Sequence, residues 1–153
     1  MKSRKIITVM LALLLIGPVM YSQKNVDQLF KEFSKEKGVT HVGIGKIVMS
    51  FASMFTDVMG VDGVEVFSFE ECSQQVKERL NKEIASMKDT RYETMVSVNE
   101  ENQRTKILVK IENETIRELI VLTSGDDAAL VRIKGKIKPS DIEKVINNNT
   151  KNK

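Results

Sequence analysis

The chain has 153 residues, enough for one domain, with 24 basic and 21 acidic residues and a net charge of +3. A single cysteine, Cys72, rules out an intrachain disulfide, so a fold must rest on packing. No cluster of Lys and Arg suited to neutralising phosphates stands out, so no nucleic-acid partner is expected.

The amino terminus reads as a cleavable secretory leader over residues 1–22. Lys2, Arg4 and Lys5 precede an eleven-residue run of mainly aliphatic side chains, residues 6–16, which Gly17 and Pro18 end. Eleven residues suit the apolar part of a signal peptide and fall short of the roughly 20 a helix needs to span a bilayer. Cleavage after Ser22 removes three basic residues and no acidic one, leaving 21 of each. No cysteine stands at the end of the leader to accept a lipid, so no stable membrane anchor is expected after cleavage. The expected product is exported, periplasmic or secreted. It consists of a single α+β domain over residues 23–147 and a polar tail over residues 148–153.

Asn25 is a helix cap, and Val26, Leu29, Phe30 and Phe33 follow at the spacing of one helical face, with Gly38 as the stop. Residues 39–43 are β-branched and predict a short strand. Ile44, Ile47, Val48, Phe51, Phe55 and Val58 recur every three or four residues and predict a second helix, stopped by Gly60. Residues 64–69 predict a strand. A third helix is expected over residues 70–87, with Cys72, Val76, Leu80, Ile84 and Met87 inward and Lys77, Glu78, Arg79, Lys82 and Glu83 outward.

From Tyr92 the period changes to two. Strands are expected over residues 92–98, 106–111, 116–123 and 128–134, joined by short polar turns that make consecutive antiparallel hairpins. Gly135 and Pro139 punctuate, and Ser140 with Glu143 forms a capping box before a last helix carrying Ile142, Val145 and Ile146. The order predicts an α+β two-layer sandwich. In it, helices cover one face of a mostly antiparallel sheet, built of a four-stranded carboxy-terminal meander plus one or two further strands. Residues 119–122, Leu-Ile-Val-Leu, are apolar on both strand faces. That strand is therefore central, or its second face is covered by the first helix, a partner or a ligand. Ile120 and Leu122 are the candidate interaction face.

Three stretches carry a family resemblance: residues 64–70 (VEVFSFE), residues 123–131 (TSGDDAALV), and Gly135-Lys136-Ile137 followed by Asp141-Ile142. Over about residues 24–147 the chain resembles an exported Bacteroidetes family, domain of unknown function 4252. The resemblance implies a small envelope domain and supplies no reaction. Many members look like lipoproteins, and this chain departs from them in lacking the lipid-accepting cysteine.

Candidate chemistry is sparse. His41, the only histidine, falls in a predicted strand, and one His with one Cys is a poor start for a zinc site. Cys72 reads as a core thiol. Its position near a helix start favours thiolate, and Glu70 and Glu71 oppose it. Gly43, Gly45 and Lys46 lack the remaining residues of a phosphate-binding loop. Asp126 and Asp127 read as turn residues rather than calcium ligands. Glu70-Glu71 and Glu100-Glu101 could supply paired carboxylates only if the fold brings them together. Among the methionines, Met49 and Met59 fall off the main stripe; they read first as gap-filling apolar side chains and only second as a flexible surface for adaptable binding. No catalytic residue, metal or cofactor is assigned. The leading expectation is a non-enzymatic module binding a protein or an apolar ligand. The alternatives are a carboxylate-based hydrolase and an accessory factor or sensor in envelope stress signalling.

Overall fold

A computed structural model describes residues 24–41 and 60–142. The predicted second helix, the glycine pair at 43–45, Met49, Met59 and the body of the last helix lie outside the described residues. The predicted leader and the predicted tail lie outside them as well.

In chain order the elements are α1 (Val26–Phe33), β1 (Thr40–His41), β2 (Val61–Ser68), α2 (Gln74–Ser86), β3 (Glu93–Asn99), β4 (Arg104–Glu112), β5 (Thr115–Thr123) and β6 (Ala129–Ile137). The strands form one six-stranded sheet in the order β1-β2-β6-β5-β4-β3, and every neighbouring pair is antiparallel. The fold is α+β.

Asn25 caps α1 as its residue type predicts. Its side chain accepts from the Gln28 N–H, and Gln28 reaches back to the Asn25 N–H, so two otherwise unpaired donors are satisfied. The helix stops at Phe33, capped at Ser34, well before the expected Gly38. α2 begins later than expected, because the Ser73 hydroxyl accepts from the Val76 N–H and sets the first turn there. Cys72 therefore precedes the helix. β4 and β5 meet at Asn113 and Glu114, both at positive φ (51° and 59°), which suits the right-handed twist of a two-residue hairpin. Gly135 does not end β6 as expected. It pairs with Val61, and a Cβ at this position would collide with the Gly60 carbonyl oxygen, so glycine lets the two strands approach within the sheet.

The sheet has two apolar faces. On one, Phe67, Leu108, Ile120, Leu122 and Leu130 pack with Val26, Leu29, Phe30 and Phe33 of α1 and with Val76, Leu80 and Ile84 of α2. On the other, Val66, Val109, Leu119, Val121, Val131 and Ile133 form a separate cluster. Ile116 joins this second cluster because the β5–β6 register shifts between Ile116 and Glu118 and breaks the simple alternation. The apolar run 119–122 thus has a direct cause: β5 lies inside the sheet, between β4 and β6, with both faces buried. Ile120 and Leu122 are fully buried against the helices. Neither can meet a partner without opening the core, so the candidate interaction face does not lie there.

Candidate functional site

The polar residues singled out by the sequence are dispersed. His41 sits on β1 with its ring stacked on Phe67, centroids 4.6 Å apart. Cys72 is buried in the helix-side core, and burial pushes its thiol pKa up, the opposite of what a nucleophile needs. Glu70 and Glu71 are exposed in the turn before α2. Among the described residues, no group of three His, Cys, Asp or Glu is placed to hold a metal ion.

Glu101 and Asp126 both line a shallow polar groove of about 320 Å³. Gln74, Lys77, Glu78 and Asn81 of α2, together with Asn102 and Gly125, complete its lining. The turn between β5 and β6 builds its floor. The Ser124 hydroxyl donates to Asn81 Oδ1 at 2.8 Å and accepts from the Arg104 N–H at 3.2 Å. The Thr123 hydroxyl accepts from the Ala129 N–H and donates to the Asp127 carbonyl, both at 3.0 Å. Gly125, at φ +101°, lets the turn abut the Asn102 carbonyl, where a Cβ would stand 2.7 Å away. The residues 123–129 that carry the family resemblance are therefore hairpin chemistry that locks α2 to two turns. Its described lining holds exposed carboxylates and amides and no aromatic side chain, and Glu100 lies beside it on open surface.

A second polar cluster was not legible in the sequence. The Asp89 carboxylate accepts from the Val26 N–H at 3.1 Å, from the Arg91 N–H at 3.1 Å and from the Arg91 guanidinium at 3.0 and 2.7 Å. Arg91 chiefly, then the backbone donors, hold Asp89 down to about 2. Arg91 also pairs with Asp27 at 2.9 Å, and Asp27 pairs with Arg132 at 2.8 Å. Burial favours the neutral form of Asp27, but the two arginines outweigh it and its pKa falls. Arg132 lies over the Phe30 ring, 4.4 Å from its centroid. Tyr92 donates to Glu118 at 2.7 Å; burial first, then that carboxylate, raise its pKa. Every carboxylate here has a donor, so the cluster fastens α1 to the turn after α2 and to the sheet, and offers no free acid or base. At the far end of α2, Lys106 donates to the Ile84 and Met87 carbonyls at 3.2 and 3.3 Å, ending the helix with a cation.

The remaining distinctive surface is the β3 edge. β3 pairs with β4 on one side and with no described strand on the other. From Thr94 to Asn99 it carries no charge, and Met95 (45 %) and Val98 (44 %) are exposed. Among the described residues its guards are Glu93 at its start and a register shift between Thr94 and Val96, which leaves Val96 to Asn99 in regular pairing with β4. At the opposite edge, β1 has two residues.

No described helix is long and apolar enough to cross a membrane. Among curated proteins and among solved structures, none matches this chain. Residues 30–145 match the family model described as Domain of unknown function (DUF4252), and the chain belongs to that family.

Proposed function

We propose that this protein is an exported, non-enzymatic interaction module that takes an extended segment of another envelope protein as an added strand along β3. The observation that carries this reading is the edge itself: among the described residues no strand pairs with the outer side of β3. Its outer backbone N–H and C=O groups form a ready row of donors and acceptors, and the exposed Met95 and Val98 in its uncharged stretch from Thr94 to Asn99 give an incoming strand apolar neighbours. Native sheets usually blunt such edges with Lys or Pro, and β3 has neither. The partner is expected to present a short β-forming stretch of low charge, because the regular part of the edge is four residues long. Export rests on the leader, and the dispersed carboxylates give a hydrolase no focus.

The test is a photo-crosslinking residue at Ser97 on the edge, compared with one at Lys82 on the outward side of α2, in cells that export the protein. A discrete heterologous adduct at Ser97, absent at Lys82 and lost on Val98→Lys, supports the reading. Equal adducts at both positions, or none at Ser97, would overturn it. An adduct of twice the chain mass would replace the partner with a second copy.

A further inference from the structure

The β3–β4 hairpin fixes which groups of β3 point outward. At its turn the Glu100 N–H donates to the Gln103 carbonyl at 2.8 Å, and the Gln103 N–H donates to the Glu100 carbonyl at 3.4 Å. Residues facing each other in an antiparallel pair alternate between bonded and non-bonded. Counting back from the turn, Val98 with Thr105 and Val96 with Ile107 are the bonded pairs, and Asn99 with Arg104 and Ser97 with Lys106 are not. The backbone N–H and C=O groups of Ser97 and Asn99 therefore point away from the sheet. The same parity places the side chains. Lys106 and Arg104 both reach α2, the first at the Ile84 and Met87 carbonyls and the second, through Nε, at Asn81 Oδ1, 3.4 Å away. Ser97 and Asn99 share that helix side with them, while Val96 and Val98 belong to the other side, with Ile107 and Thr105.

On the helix side this edge is positively charged. Lys88 follows Met87 directly and is exposed. Burial, then the like charges of Arg104 and Lys88, lower the pKa of Lys106, so three cations converge there. Among the described residues none of the three forms a salt bridge. An ammonium has three donors, and Lys106 uses two of them on carbonyls. The nearby acids lie elsewhere. Asp89 is taken by Arg91 and the Val26 N–H, and Glu93, paired with Val109, belongs to the other side of the sheet. Glu100 and Glu101 share a groove of about 450 Å³ with Arg104 and Asn99 at the turn, so the positive end of the edge is the one at Ser97. Resting on the reading that β3 takes an added strand, we propose that this strand carries an Asp or Glu opposite Ser97, turned to the helix side toward Lys106 and Lys88, with an apolar residue before and after it. An added strand lies about 4.8 Å beyond β3, so the acid's backbone stands about 10 Å from that of Lys106, a gap that two long side chains close. The two apolar neighbours fall on the other side, beside Val96 and the exposed Val98. The partner class is thus an extended segment reading apolar, acidic, apolar, recognised by backbone bonds at Ser97 and Asn99 and by charge.

The test keeps the photo-crosslinking residue at Ser97 in exporting cells, adds single charge reversals, and sequences the captured segment by mass spectrometry. Lys88→Glu is expected to cut the adduct yield about fivefold or more, while Lys82→Glu, on the outward side of α2, leaves it unchanged. Lys88→Gln, which removes the charge without reversing it, is expected to fall between. The captured segment is expected to hold an Asp or Glu between two apolar residues. A segment without Asp or Glu, or an adduct yield untouched by Lys88→Glu, would overturn the proposal. Equal losses with Lys88→Glu and Lys82→Glu would overturn it too. In those cases an adduct still lost on Val98→Lys leaves the β3 edge standing as the binding surface. With no Ser97 adduct in the otherwise unaltered chain, both readings fall together.

Discussion

Replacing Asp89 with alanine should destabilise the fold by about 2 kcal/mol at neutral pH. The mutation removes the acceptor that satisfies the first helical N–H of α1, at Val26, and releases Arg91 from a bidentate pair. The magnitude follows from linkage. The Asp89 carboxyl titrates near 3.8 when unperturbed and about 2 in the fold, and each unit of difference is worth about 1.4 kcal/mol. Because the folded value is the lower one, this stability is fully present above the unfolded value. It is lost as pH falls through the folded value. Urea melts of the wild type and Asp89→Ala at pH 7, 4 and 2 check both size and sign. The gap between the two proteins should be about 2 kcal/mol at pH 7, equivalent to roughly 5–10 °C in melting temperature for a domain of this size. It should shrink between pH 4 and pH 2. Equal stability at pH 7, or a gap that persists unchanged at pH 2, would refute the role given to this carboxylate.

Ile120→Asp and, separately, Leu122→Asp should each cost about 4 kcal/mol or more, because each puts an unpaired charge into a closed core; the readout is loss of a cooperative melt rather than loss of one partner. Glu114→Gly should raise stability by up to about 1 kcal/mol, seen as a melting temperature a few degrees higher, because glycine accepts the φ of 59° without a Cβ penalty. Cys72 should resist a thiol reagent at pH 7.5 until urea unfolds the chain, since burial both hides the sulfur and raises its pKa; rapid labelling of the folded protein would contradict its placement in the core.

The α+β class and the strands from residue 93 onward were legible because their cues are local: period-two alternation, short polar turns, and apolar stripes at helical spacing. The capping of α1 by Asn25 was legible for the same reason. The errors share a different cause. Gly135 reads as a stop, and only the approach of Gly60 explains why it belongs inside β6. Cys72 fits the apolar stripe of α2, but the Ser73 cap starts the helix at Gln74, two residues after it, and the thiol reaches the same core from a turn. The run 119–122 announces two buried faces, yet periodicity does not say which parity faces the helices. Ile120 and Leu122 proved to be the pair under α1 and α2. The Asp27, Asp89, Arg91 and Arg132 cluster joins residues up to 105 positions apart, and no spacing rule connects them. The β3 edge also became visible only with strand order, because an edge strand and an internal one can share the same alternation.

The claim that β3 is the interaction surface is tested most directly by the paired photo-crosslinks at Ser97 and Lys82 in exporting cells. The expected result is one heterologous adduct at Ser97 that disappears with Val98→Lys while the melting temperature of the variant stays within a few degrees of the wild type. An adduct that survives Val98→Lys, or labelling at Lys82 equal to that at Ser97, would contradict it.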